Sequence, residues 1–226
     1  TSAAMWSGDR FDRRNAVALT AGLGLFAALL VFRQSSTFLF IGAAYFTLRN
    51  IHVLLDWWMG KLSRPGIGRL LRYQFFLPVL AIGPIHRIQN FERECERRRF
   101  DFQQFYSGAE RALLGLTLAV TAGFAADRIG KLLTRSQIDF WHDWMHSGLN
   151  WIELYLTFSG FSSLAIGLAL MMGIRLEENF NRPFLAVNLV EFWTRWHITL
   201  SMWCRDYVFD PITAVTRSPV VGVTLT

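Results

Sequence analysis

Two stretches of this chain run apolar for nearly the thickness of a lipid bilayer. Ala16 to Phe32 holds 17 uncharged residues between Arg14 and Arg33, and Leu154 to Ile174 holds 21 between Glu153 and Arg175. A helix needs about 20 apolar residues to cross a hydrocarbon core of about 30 Å, so both read as membrane crossings. Ala112 to Ala126 is 15 uncharged residues, a shorter crossing whose flanking arginines must snorkel. Ser35 to Leu48 is also apolar, but it continues through Arg49, Asn50, His52 and Asp56. Hydrocarbon does not accept such groups, so these side chains must face protein or water.

A different pattern runs from Gln74 to Ile85. Its 12 residues contain Pro78 and the pair Gly83-Pro84. A straight helix of that length covers about 18 Å, so the segment cannot span and is expected to be re-entrant, its irregular backbone buried in protein or lining a wet cavity. A segment that returns to the side it left puts Lys61, Arg64, Arg69 and Arg72 on one face with the basic stretch Arg93 to Arg99. The positive-inside rule makes that face cytoplasmic. Phe91 to Gln104 reads as a charged loop or surface helix. Asp139 to Asn150, with Trp141, Trp144 and Trp151, reads as an interfacial belt.

Composition agrees with this pattern. The 226 residues are 52% hydrophobic with a mean hydropathy of +0.27, too apolar for an ordinary soluble domain of this size. The net charge of +6 comes without a long basic tract, which suits positively charged loops better than nucleic acid. Cys95 and Cys204 are far apart, so they make neither a disulfide framework nor a thiolate zinc site. The expected fold class is therefore all-α, a polytopic helical membrane protein with re-entrant and interfacial helices. Residues 1–226 read as one membrane domain, a piece of a longer protein incomplete at both ends.

Candidate chemistry concentrates between Glu191 and Tyr207. Read as one helix, Trp193, His197, Ser201 and Arg205 recur every four residues and share a face. That face would suit a helix lying at the membrane surface. It would equally suit a partly buried cavity in which His197 exchanges a proton with a substrate hydroxyl. His142 and His146 have the spacing of two metal ligands, but five histidines are too few for a di-iron membrane oxidase, so interfacial polarity is the expectation and no metal site is assigned. His86, after the Gly83-Pro84 break, reads as a residue of the cytoplasmic edge. Ser159, Ser163 and Gly167 form a small-residue stripe suited to close helix packing. Glu177 and Glu178 read as a solvated exit from the long crossing. Serine-hydrolase elbows, phosphate-binding glycine loops and HExxH are absent from the sequence.

Several blocks, in order, resemble the membrane-bound O-acyltransferase (MBOAT) family, in its bacterial branch of alginate O-acetylation and teichoic acid D-alanylation. They are Ile41 to Asp56 with Gly42, Phe46-Thr47 and Asp56; Phe75 to Ile85 with Pro78 and Gly83-Pro84; Phe158 to Gly167; Glu178 to Phe184; and Phe192 to Ser201 followed by Arg205-Asp206-Tyr207. The resemblance implies transfer of an acyl group, often acetyl, from a cytoplasmic thioester donor, acetyl-CoA or an acyl carrier protein, to a hydroxyl on the far side. It implies a polysaccharide or cell-wall polymer as acceptor, the bacterial inner membrane as the location, and a periplasmic acetyltransferase as a further partner. It places His197 at the first of two active-site positions. The second, a histidine in a later helix, is expected beyond Val220. Trp193, Arg195, Trp196, Ser201, Arg205, Asp206 and Tyr207 are the expected substrate-binding residues. Apart from the thioester substrate, no cofactor is implied. The chain departs from the family pattern at Thr157, Ser163 and Thr194, where charged residues are usual. Those losses fit either a different acceptor or a loss of activity, and the lost acidic residues motivate the alternative of a non-catalytic membrane scaffold or conduit passing acyl groups or glycan to a periplasmic partner.

Overall fold

The computed structural model describes residues 37–63, 66–80, 82–133 and 140–216, all helix, turn or irregular chain with no strand among them. The first expected crossing, Ala16 to Phe32, and the segment after Val220 lie outside the described residues.

Helix α1 (Thr37–Trp58) leads through a turn to α2 (Ile67–Gln74). A short 3-10 turn (Leu77–Val79) and irregular chain follow, then α3 (Ile88–Arg97). The two long helices are α4 (Phe102–Leu133) and α5 (Phe140–Met171), 32 residues each and so about 48 Å long. A second 3-10 turn (Pro183–Leu185) precedes α6 (Leu189–Arg195), α7 (Ile198–Cys204), one π-helical stretch (Arg205–Phe209) and α8 (Asp210–Thr216). Among the described residues α5 has the one segment, Asp143–Met171, long and apolar enough to cross a membrane.

Helices α4 and α5 pack along each other because small residues line both sides of their seam. A Cβ on Gly167 would lie 2.6 Å from the backbone nitrogen of Ala112 and from the carbonyl oxygen of Gly108, so only glycine permits this approach. Gly115 and Gly160 meet farther along the same seam. The stripe expected from Ser159, Ser163 and Gly167 is thus rotated: Gly160, Ser163 and Gly167 face α4, whereas Ser159 is buried elsewhere. On the outer side of α4, Leu113, Leu114, Leu116, Val120 and Phe124 are exposed, an apolar face of the kind lipid covers. The short crossing read from Ala112 to Ala126 is the middle of this longer helix.

The Gln74 to Ile85 segment behaves as its Pro and Gly residues dictate. Helix α2 stops at Gln74, and Gly83, Pro84, Ile85 and His86 are buried against protein. This satisfies the demand that irregular backbone at such a place be covered. Its core neighbours are Tyr73, Phe76, Val79, Ile88 and Phe91, packed with Ala165 and Ala169 of α5. Phe91 to Gln104 resolves into most of α3, a break at Arg98 and the start of α4. The tryptophan belt becomes the first turns of α5, with Trp144 and Trp151 exposed. The side chains of Trp141 and His142 lie outside the described residues.

Candidate active site

The expected single helix from Glu191 to Tyr207 is broken at His197. Helix α6 begins at Asn188, whose side-chain oxygen accepts the Glu191 amide hydrogen at 2.8 Å, and Glu191 in turn accepts from Val187 at 2.9 Å. It ends at Arg195. Trp196 is extended, and His197 is left-handed with φ 44° and ψ 52°. The shared face of Trp193, His197, Ser201 and Arg205 therefore does not exist. The reason is tertiary, since Asn181 N donates to Arg195 O and Ile198 N donates to Asn179 O, both at 2.9 Å, pulling the backbone out of the helical path.

The break turns the His197 ring toward the interior. Phe158 meets it edge-on with ring centroids 4.8 Å apart, and Phe180 lies nearly parallel at 6.5 Å. Tyr45 of α1 brings its hydroxyl to 3.5 Å from Nε2. Burial lowers the imidazole pKa to about 4, so the ring is neutral near pH 7 and keeps one nitrogen able to accept a proton. Helices α6 and α7 have seven residues each, too short to span, and present His197 at their junction.

A second polar group lies along α1. Tyr45, Arg49, His52 and Asp56 are spaced four, three and four residues apart and so share one face. Tyr45, Arg49, His52 and Asp56 are all buried, as the impossibility of placing the last three in hydrocarbon required. His52 Nε2 lies 2.9 Å from the Tyr73 hydroxyl, which donates to the His86 carbonyl oxygen at 2.5 Å. Asp56 accepts from the Tyr207 hydroxyl at 2.9 Å and from Gln89 at 2.6 Å. Arg87 donates to Asp206 at 2.7 Å and sits 4.6 Å over the Tyr207 ring. The guanidinium of Arg49, near the Tyr73 ring at 5.9 Å, has no hydrogen-bond partner among the described residues.

Residues 59–226 match the family model of the MBOAT, membrane-bound O-acyltransferase family, which is well over half of the chain. The chain belongs to the MBOAT family. It is similar to the probable alginate O-acetylase AlgI of Pseudomonas aeruginosa, 34% identical over 176 residues that make up 75% of this chain and 33% of that protein. It is similar to the teichoic acid D-alanyltransferase of Bacillus subtilis, 29% identical over 180 residues (75% and 45%). The peptidoglycan O-acetyltransferase of Helicobacter pylori is 42% identical over 145 residues (61% and 27%). The chain spans between about a quarter and a half of the length of these curated relatives.

In this MBOAT chain the structure separates the expected site residues from one another. Trp196 is buried beside His197, its ring among Phe180, Tyr155 and Phe192. Asp206 and Tyr207 belong to the α1 network with Arg87 and Asp56. Trp193, Ser201 and Arg205 are exposed and are not brought to the imidazole, a consequence of the break at His197. Arg205 instead pairs with its neighbour Asp206 at 3.0 Å, and Arg195 pairs with Glu191 one turn back. No structural rationale ties Ser201 to the site.

Two other expectations change. His86 is fully buried rather than at an edge, because Tyr73 and Phe91 enclose its ring at 4.9 and 5.3 Å. Glu177 and Glu178 are not simply solvated: Glu177 accepts from Asn90 at 2.6 Å, and Glu178 takes both terminal nitrogens of Arg111. His146 bonds Asn150 at 3.1 Å, and no group of three metal-ligating side chains occurs among the described residues. Of the departures from the family pattern, Thr157 leaves its hydroxyl buried without a partner among the described residues, Ser163 lies in the α4–α5 seam, and Thr194 is exposed.

Tyr45, Asn179 and Thr199 were not singled out from sequence. Tyr45 was detectable through its spacing with Arg49, His52 and Asp56. Asn179 and Thr199 carry no local signal, since their role rests on contacts between distant segments.

Proposed function

We propose that this MBOAT protein is an O-acyltransferase of the bacterial cytoplasmic membrane, moving an acyl group, acetyl above all, from a cytoplasmic thioester to a hydroxyl of an extracytoplasmic polysaccharide or cell-wall polymer. The observation that carries the reading is the His197 imidazole, neutral, half-buried among aromatic rings and within reach of the Tyr45 hydroxyl. In this reading the acceptor oxygen loses its proton to a base and attacks the thioester carbonyl carbon. The carbon–sulfur bond then breaks, and the departing sulfur takes a proton. His197 hydrogen-bonds the acceptor hydroxyl or the thioester carbonyl, and a second histidine, expected after Val220, is the base. General-base assistance of this kind contributes about 10²- to 10⁴-fold. The relatives, named for acetyl or D-alanyl transfer to alginate, teichoic acid and peptidoglycan, support the acceptor class.

The test compares a strain lacking the gene with one in which it is restored. Membranes are supplied with labelled acetyl-CoA, and acetate released by mild alkali from the surface polymers is counted. Label that depends on the gene is expected. Equal label in both strains contradicts the reading.

A further inference from the structure

We propose that Asn179 and Thr199 are positioning residues that hold His197 in its working geometry. This rests on the reading of His197 given above. His197 has a left-handed backbone that residues other than glycine seldom adopt, and nothing in its own side chain enforces it: His197 has no side-chain capping bond. The conformation is imposed from outside.

Two segments act as a clasp. On the backbone, Asn179 O takes the Ile198 amide hydrogen and Arg195 O takes that of Asn181, one bond on each side of Trp196 and His197. Through the side chains, Thr199 Oγ1 donates to Asn179 Oδ1 at 2.5 Å and accepts the Ile85 amide hydrogen at 3.0 Å. The one hydroxyl therefore joins three segments: the exit from α5, the irregular chain after Gly83-Pro84, and the first turn of α7. Asn179, Thr199 and Ile85 are all buried, so water does not compete for these bonds. Leu200 N and Ser201 N both donate to His197 O, which makes His197 the anchored start of α7. A shift of Thr199 is passed directly to the imidazole and to its 3.5 Å approach to Tyr45.

The experiment uses the full-length protein in membranes, with labelled acetyl-CoA as donor, and compares Thr199→Val, Thr199→Ser and His197→Ala. Valine has nearly the shape of threonine but neither donates nor accepts. The expected result for Thr199→Val is a kcat lowered about tenfold to a hundredfold, as misplacement near 1 Å produces, with the donor KM within about twofold of wild type. Thr199→Ser, which keeps the hydroxyl, recovers most of kcat. If the valine variant does not accumulate, Thr199→Ala takes its place. Wild-type kcat in Thr199→Val, or a loss that serine fails to recover, overturns the positioning role while leaving His197 in place. Wild-type turnover in His197→Ala removes the reading of His197 itself, and this inference with it.

Discussion

Tyr207 donates its hydroxyl hydrogen to Asp56 at 2.9 Å, joining residues 151 positions apart. The bond fastens the π-helical stretch to the polar face of α1 and closes the network that also holds Gln89 and His52. Asp56 is buried and accepts from both Tyr207 and Gln89, so removing a donor and removing the acceptor have different consequences.

Tyr207→Phe deletes one donor and leaves Asp56 with Gln89. The expected loss is about 1 kcal/mol, the usual net value of one hydrogen bond. Asp56→Ala leaves two half-buried donors, Tyr207 and Gln89, without their acceptor and is expected to cost more, about 1–3 kcal/mol in all, because part of the loss is made good by water. Thermal unfolding of the two variants in the same detergent gives the order, and a larger loss for Tyr207→Phe contradicts the network as described.

The α4–α5 seam predicts a sharp contrast between glycines. Gly167→Ala places a methyl 2.6 Å from backbone atoms of α4, which the helices relieve only by moving apart, whereas Gly123→Ala meets nothing within 4 Å. Overpacking of this kind costs about 1–3 kcal/mol. Gly123→Ala, in a helix interior, is expected to be neutral or slightly stabilising. Comparing the melting temperatures of both variants with wild type decides it.

Stability is expected to fall as pH drops below about 6.5. Burial holds the His86 imidazole to a pKa of about 3 and that of His197 to about 4, against an ordinary 6.5. Between these values the unfolded chain binds protons that the folded chain refuses, so acid favours unfolding throughout that window. Above pH 6.5 both states carry neutral rings and the effect vanishes. Melting temperatures from pH 8 down to pH 4.5 are expected to be flat and then to fall, and His86→Phe is expected to make the fall shallower. An equal slope in that variant contradicts the neutral burial of His86.

The architecture was readable where physics allows one answer. Arg49, His52 and Asp56 could not face hydrocarbon, and they are buried in protein. Pro78 and Gly83-Pro84 could not continue an α-helix: Pro78 lies in a 3-10 turn, and the chain at Gly83-Pro84 is irregular and buried. The site was less readable because its geometry depends on partners far away in sequence. Nothing between Trp193 and Arg205 marks His197 as left-handed, since Trp193, His197, Ser201 and Arg205 keep the four-residue spacing of an unbroken helix. The break comes from Asn179 and Asn181, some 16 to 18 residues earlier. His86 was misplaced for the same reason: Arg87 suggested an edge, whereas Tyr73 and Phe91 decide that the ring is enclosed.

The most direct test of the account is acyl transfer by His197→Ala in the full-length protein, read as alkali-labile label moved from acetyl-CoA to polymer in membranes holding equal amounts of wild-type and variant protein. Transfer is expected to fall about a hundredfold or more, the usual cost of losing one positioned hydrogen bond at the reacting centre, while the melting temperature stays near that of wild type. Transfer at the wild-type rate would contradict it.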